Sequence, residues 1–379
     1  MTNYYFFYSL VGLMFFSNLA SSQHTDYYLL IGRYTSDKNE GINTFTFNSQ
    51  TGNVKYKSNI KDVGNPSYLA VSANHEYVYA VNEFGNGKGM VSAFTFNRQT
   101  GELDLINQQS AEGDSPCYVA IDSKGKHLFI ANYSSGSTSA FPVNSNGSLG
   151  AAVQVIQNTG SGPNKQRQEK PHAHASVLSP DEKYLLVTDL GTDEVIVYPY
   201  NAGDLMNPLD TAKASRVKVS PGFGPRHLAF HPKSNFVYVV QELSAYVSAY
   251  VFKDGKMEHL QDIAMEDADF KGMNGAADIH VSPDGKFVYA SNRGDAHSIS
   301  IYKIDQQTGK LTFSERTSTL GKAPRNFIID PSGKFLLVAN QDSNNIVIFK
   351  RNEKTGSLTD TGKRIESENP NCLKLIPIQ

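Results

Sequence analysis

Residues 224–242, GPRHLAFHPKSNFVYVVQE, hold two alternating apolar runs on either side of a polar turn. That is the pattern of an antiparallel β-hairpin. The first strand opens with Pro225-Arg226-His227 and the second closes with Gln241-Glu242. Antiparallel pairing brings Arg226 and Glu242, 16 residues apart in the chain, to the same end of the hairpin.

The hairpin recurs. Aligned on the residue in the place of Pro225, further copies begin at Pro66, Pro116, Ala173, Ala276 and Pro324, with a truncated copy at Pro370. Sixteen residues after each complete anchor stand Asn82, Asn132, Asp189, Gln241, Asn292 and Asn340. Copies spaced by 46 to 57 residues, built of strand and turn throughout, predict the blades of a β-propeller. Each copy is followed by a second alternating pair with a Gly turn, at Gly52, Gly101, Gly147, Gly203, Gly255, Gly309 and Gly356, so seven blades are expected. Residues 27–33 offer a second strand with no first, and 371–378 a first strand with no second. Pairing them closes the ring with strands from both termini and leaves no open edge. The expected fold is therefore all-β: a seven-bladed β-propeller of four-stranded blades over residues 27–379, with no helical domain.

The ends and the composition bound the setting. Residues 4–16 are aromatic and apolar and are followed by a run of small residues to Ser22. This predicts a signal peptide over residues 1–22, too short for a comfortable membrane span. The mature protein is then expected outside the cytoplasm, with no integral membrane segment. A formal charge of -2 without a long basic run argues against a nucleic-acid partner. The two cysteines, Cys117 and Cys372, fall on first strands of non-adjacent copies, so two free thiols are expected even where an oxidising compartment permits a bridge.

Aligned copies also allow equivalent positions to be compared within one chain. Immediately after the anchor come Ser67, Cys117, His174, Arg226, Ala277, Arg325 and Asn371. Just past the second strand come Arg33, Glu83, Tyr133, Leu190, Glu242, Arg293 and Gln341. Both sets lie at one end of the blades and crowd one mouth of the central channel. His174, Arg226 with Glu242, Arg293 and Arg325 concentrate there in consecutive blades. His172, His227, Asp278 and His280 lie close by, and His280 interrupts a strand position that is apolar in other copies.

Clustered guanidinium groups recognise a carboxylate or phosphate through paired hydrogen bonds, or stabilise an oxyanion at an attacked carbonyl. A carboxylate and an imidazole beside them can move protons or activate water. The combination suits hydrolysis of an ester or lactone bearing an anionic group, or the reverse ring closure. A polar network that merely braces the channel is the plainer alternative. No G-x-S-x-G elbow and no glycine-rich phosphate loop is present. His172 and His174 would share a strand face, but no second carboxylate ligand accompanies them, and neither a metal nor a cofactor is expected. The expected catalytic residues are His174, Arg226, Glu242 and Arg293; the expected substrate contacts are Arg325, His227, Asp278, His280, Glu83 and Gln341. The least regular segment, NTGSGPNKQRQEK (158–170), runs directly into Pro171-His172-Ala173-His174. It reads either as a lid over the mouth or as a plain blade-joining loop.

Five stretches carry a resemblance: PHAHASVLSPD (171–181), GPRHLAFHP (224–232), QELSAYV (241–247), AADIHVSPDGKFVYASNR (276–293) and APRNFIIDPSGKFLLVANQDSN (323–344). They resemble the seven-bladed lactonase propellers, typified by bacterial 6-phosphogluconolactonase and the fungal carboxymuconate-lactonising enzyme. The resemblance covers everything after the signal peptide. It implies an active site of one His, two Arg and one Glu, which match His174, Arg226, Arg293 and Glu242. It also implies hydrolysis of 6-phospho-glucono-1,5-lactone to 6-phosphogluconate in the pentose phosphate pathway. Glu242 or His174 would activate water, with Arg226 and Arg293 holding the oxyanion and the substrate anion. Export would favour an unphosphorylated sugar lactone. A muconate-type cycloisomerase and a non-catalytic propeller that binds an anionic sugar or a protein partner are the alternatives.

Overall fold

A computed structural model describes residues 1–2, 25–37 and 40–378. Apart from its first two residues, the expected signal peptide lies outside the described residues. The described chain forms seven four-stranded antiparallel sheets. The blade that carries the opening hairpin consists of Pro225–Phe230, Phe236–Gln241, Tyr246–Lys253 and Lys256–Ala264. Its second strand is buried along its whole length because a neighbouring blade covers each face, which is why its sequence is apolar on both sides of the alternation.

The innermost strands follow one another in a closed cycle. From Leu69–Val71 the ring passes through Pro116–Ile121, Ala173–Leu178, Pro225–Phe230, Ala276–Val281 and Pro324–Ile329 to Pro370–Pro377, and back to its start. The last of these pairs with Asp26–Arg33 in the register Leu29↔Leu375, so the two termini complete one blade as expected. Cys117 and Cys372 are free and buried.

Adjacent blades are clasped at their outer turns. Gly309 takes φ +72°, and a Cβ there would run into the Phe236 ring of the preceding blade, while the Tyr238 hydroxyl donates to Gly309 O at 3.0 Å. Gly356 sits in the same way on Phe287. The expected turn at Gly203 departs from this pattern, since Gly203 is not among the glycines with positive φ. The chain there bridges Tyr200 to Leu209, and the Tyr200 hydroxyl, 3.0 Å from His127 Nδ1, makes the interblade clasp instead.

One local feature positions the site. Pro225 pairs with Gln241 but His227 pairs with Val240, so Arg226 is the extra residue of a β-bulge. Cys117, His174, Arg325 and Asn371 are bulged in the same place on their own innermost strands. Bulges re-aim a side chain out of the regular alternation. Repeated in five blades, they set the residue after the anchor apart from the regular alternation, and three of these residues, Cys117, His174 and Arg325, line the cavity described below at one end of the channel.

Candidate active site

A cavity of about 230 Å³ opens at that end, lined by Tyr34, Glu83, Cys117, Tyr133, Arg167, His174, Glu242, Arg293 and Arg325. Glu242 is its centre. The Glu242 backbone N–H donates to Gly224 O at 2.7 Å, fixing the residue just beyond the strand ladder. Its two carboxylate oxygens have different surroundings. Oε2 lies 3.0 Å from Arg226 Nε, 3.0 Å from Arg293 Nη2 and 3.9 Å from His174 Nε2. Oε1 accepts from Arg167 Nη2 at 2.6 Å. Burial alone would raise the pKa of this carboxyl, but Arg293, Arg226 and Arg167 overcome it and hold the group at about 2.

His174 is pushed the other way. Burial, together with Arg226, His227, Arg325 and Arg293, holds its pKa well below the ordinary imidazole value. The ring is therefore neutral at neutral pH and able to accept a hydrogen bond. The second acid, Glu83, accepts from the Tyr34 hydroxyl at 2.8 Å and from Ser67 Oγ at 2.5 Å. The guanidinium of Arg325 lies 5.4 Å from the centre of the Tyr34 ring, a cation–π distance.

The remaining expected residues take other places. Arg226 is 2% exposed and stands behind Glu242 rather than in the cavity wall. Its Nη1 donates to Ala277 O at 2.5 Å and lies 3.4 Å from His227 Nε2. His227, Asp278 and His280 form a layer beyond Arg226, outside the cavity lining. The bulge accounts for this: Arg226 takes the outward position, and His227 returns to the strand alternation beneath it. A carboxylate only accepts, so His227 Nδ1 donates to Asp278 Oδ1 at 2.8 Å. Asp278 Oδ2 accepts further bonds from His280 Nε2 at 3.1 Å and Asn326 Nδ2 at 2.5 Å. Burial and Arg226 lower the His227 pKa to about 4.

Gln341 is not brought to the cavity. It begins the short 3-10 turn Gln341–Ser343, and its side chain donates to Asp342. His172 is turned away from His174, stacked on the Tyr133 ring at 4.5 Å with Nδ1 donating to Tyr133 O at 3.0 Å. Among the described residues no cluster of three or more His, Cys, Asp or Glu is arranged to hold a metal.

Arg167 escapes the sequence reading. It belongs to the 158–170 segment, which is a folded blade-joining loop. Asn158 donates to Asp189 Oδ2 at 2.7 Å, and Gln168, fully buried, donates to Leu190 O at 2.9 Å and Asp193 Oδ1 at 2.7 Å. Arg167, next to Gln168, reaches Glu242 and, at 3.2 Å, the Tyr133 hydroxyl. The segment lies outside every repeat, so no equivalent position marks Arg167 as unusual. The available signal was an arginine in an irregular stretch that leads straight to His174.

Residues 28–375 match the family described as "Lactonase, 7-bladed beta-propeller". The 6-phosphogluconolactonase of Bacillus subtilis is 36% identical over 93% of this chain and 99% of its own length. The 6-phosphogluconolactonase of Formosa agariphila is 41% identical over 87% of this chain and 94% of its own. The solved structure of a periplasmic gluconolactonase from Pseudomonas aeruginosa superposes with a TM-score of 0.88 at 35% identity, covering 93% of this chain and 100% of that one.

Proposed function

The chain belongs to the seven-bladed β-propeller lactonase family, and from that premise we propose that it is a lactone hydrolase of the 6-phosphogluconolactonase type. The observation that carries this reading is Glu242: an ionised carboxylate at the centre of a cavity, gripped by guanidiniums on one oxygen and facing His174. A base, a neutral imidazole and cationic groups for an oxyanion are what water attack on a lactone carbonyl requires.

The steps follow from the two oxygens. Glu242 Oε1 takes a proton from water while the water oxygen bonds to the lactone carbonyl carbon. Arg293, which lines the cavity, stabilises the resulting oxyanion, and neutral His174 hydrogen-bonds the substrate. The carbonyl re-forms, the ring C–O bond breaks, and the departing ring oxygen takes the proton back from Glu242. The product is an open hydroxy acid, which ionises and releases one proton. Arg226 acts from behind by holding Glu242 Oε2, and Arg325 is available to an acidic group on the substrate.

The names of the Bacillus and Formosa relatives favour 6-phospho-glucono-1,5-lactone, an intermediate of the oxidative pentose phosphate pathway, as substrate. A second reading is glucono-lactone without phosphate, hydrolysed outside the cytoplasm. It is supported by the leader-like residues 1–22 and by the name of the Pseudomonas relative. Proton release on adding each lactone, with spontaneous opening subtracted, tests both. Acceleration of either is expected, and the faster compound identifies the substrate. No acceleration of either overturns the hydrolase.

A further inference from the structure

Resting on the lactonase reading, we infer that Arg167 is the residue through which this site selects a lactone bearing an acidic group. Its guanidinium leaves Glu242 Oε1 for the acidic group of the substrate, so binding the anion and uncovering the base oxygen are one event.

The argument begins with the asymmetry of the Glu242 ion pairs. Oε2 is held from within by Arg226 and Arg293, whose side chains are 2% and 19% exposed. Oε1 is covered by Arg167, whose side chain is 44% exposed. Arg167 is the most exposed of the three guanidiniums, so solvent recovers more of what it loses on leaving than it would for Arg226 or Arg293. Glu242 keeps two guanidiniums when Arg167 leaves, so its carboxylate is not stranded without a counter-charge. Oε1 has no other guanidinium within ion-pair distance, and both Glu242 and Arg167 line the cavity. While Arg167 covers Oε1, that oxygen is less available to activate water, so a lactone without an acidic group is opened more slowly.

The loop permits this exchange to be a side-chain movement alone. Gln168 anchors the backbone beside Arg167 through Leu190 O and Asp193, and the Arg167 N–H donates to Asn164 O at 3.2 Å. The side chain needs only to swing about this fixed point, between Glu242 and the cavity it lines.

Charge points to the kind of group it meets. Arg167, Arg293 and Arg325 oppose Glu83 and Glu242 in the cavity wall, so the walls carry one net positive charge, and Arg226 directly behind Glu242 adds a second. A phosphate monoester or a carboxylate complements that excess. A planar guanidinium can bind either through two parallel hydrogen bonds.

The test compares wild type, Arg167→Gln and Arg167→Lys by proton release on 6-phosphoglucono-lactone and on glucono-lactone. Thermal melts establish that all three are folded. In Arg167→Gln the ratio of kcat/KM for the phosphorylated over the plain lactone is expected to fall by roughly 10- to 100-fold, the worth of a charged hydrogen bond, with partial recovery in Arg167→Lys. The acid limb of the glucono-lactone pH profile is expected to move to higher pH, since Glu242 then has one guanidinium fewer beside it. A purely structural role leaves the ratio unmoved. If the wild type turns over lactone while Arg167→Gln leaves the ratio unchanged, or if the wild type opens only the plain lactone, this inference is overturned and the hydrolase stands. A wild type inert to both compounds overturns both.

Discussion

Replacing Glu242 by Gln keeps the shape of the side chain and removes its charge, so it separates chemistry from packing. The carboxyl titrates at about 2 in the folded protein against an ordinary value of 4.5. At about 1.36 kcal/mol for each unit of difference, the folded environment favours the ionised form by about 3 kcal/mol. The cost of leaving buried guanidiniums without their partner, about 3–5 kcal/mol, is of the same size. A depressed carboxyl pKa contributes stability that is fully present above about 4.5 and lost as pH falls toward 2. The stability gap between wild type and Glu242→Gln should therefore be about 3 kcal/mol at pH 7 and shrink by about 2 kcal/mol at pH 3. Urea unfolding at the two pH values measures it. Removing the base should also lower kcat by about 10²- to 10⁴-fold, read by proton release on whichever lactone the wild type prefers. Two results would refute this reasoning. One is a folded variant whose kcat stays within threefold of wild type. The other is a gap of equal size at both pH values, which would mean that the arginines do not hold the carboxylate.

Asp278→Asn should destabilise the protein by about 3–5 kcal/mol, because the buried carboxylate that gathers His227, His280 and Asn326 loses its charge; the comparison is unfolding free energy at pH 7. Gly309→Ala should cost about 1–3 kcal/mol through its left-handed φ and the Phe236 ring, and a melting temperature equal to wild type would contradict the interblade clasp. Burial raises the thiol pKa of both Cys117 and Cys372, so neither should react with a thiol reagent in the native protein and both should react in denaturant.

The ring was legible because a propeller repeats itself within one chain. Proline or alanine anchors, a polar turn and a second strand sixteen residues on can be compared copy against copy, and outliers such as His174, Arg226, Glu242 and Arg293 emerge without any other sequence. The bulge was not legible. The residues it displaces are Cys117, His174, Arg226, Arg325 and Asn371, which share neither a glycine nor any other backbone signature. Without it, strict alternation gives His227 as good a claim on the mouth as Arg226. With it, Arg226 takes the outward place and His227 turns down onto Asp278. Gln341 was misplaced for a related reason. Its equivalence to Glu242 ends where the backbone turns into a short 3-10 segment, and a gapless alignment carries no trace of that turn. Arg167 lay beyond reach because it belongs to no copy at all. The division has a physical basis. Repeats dictate where strands begin and end, and so which positions face a common mouth. The orientation of a side chain there depends on one extra residue in a ladder, and the covering of Glu242 depends on a loop that only one blade junction possesses.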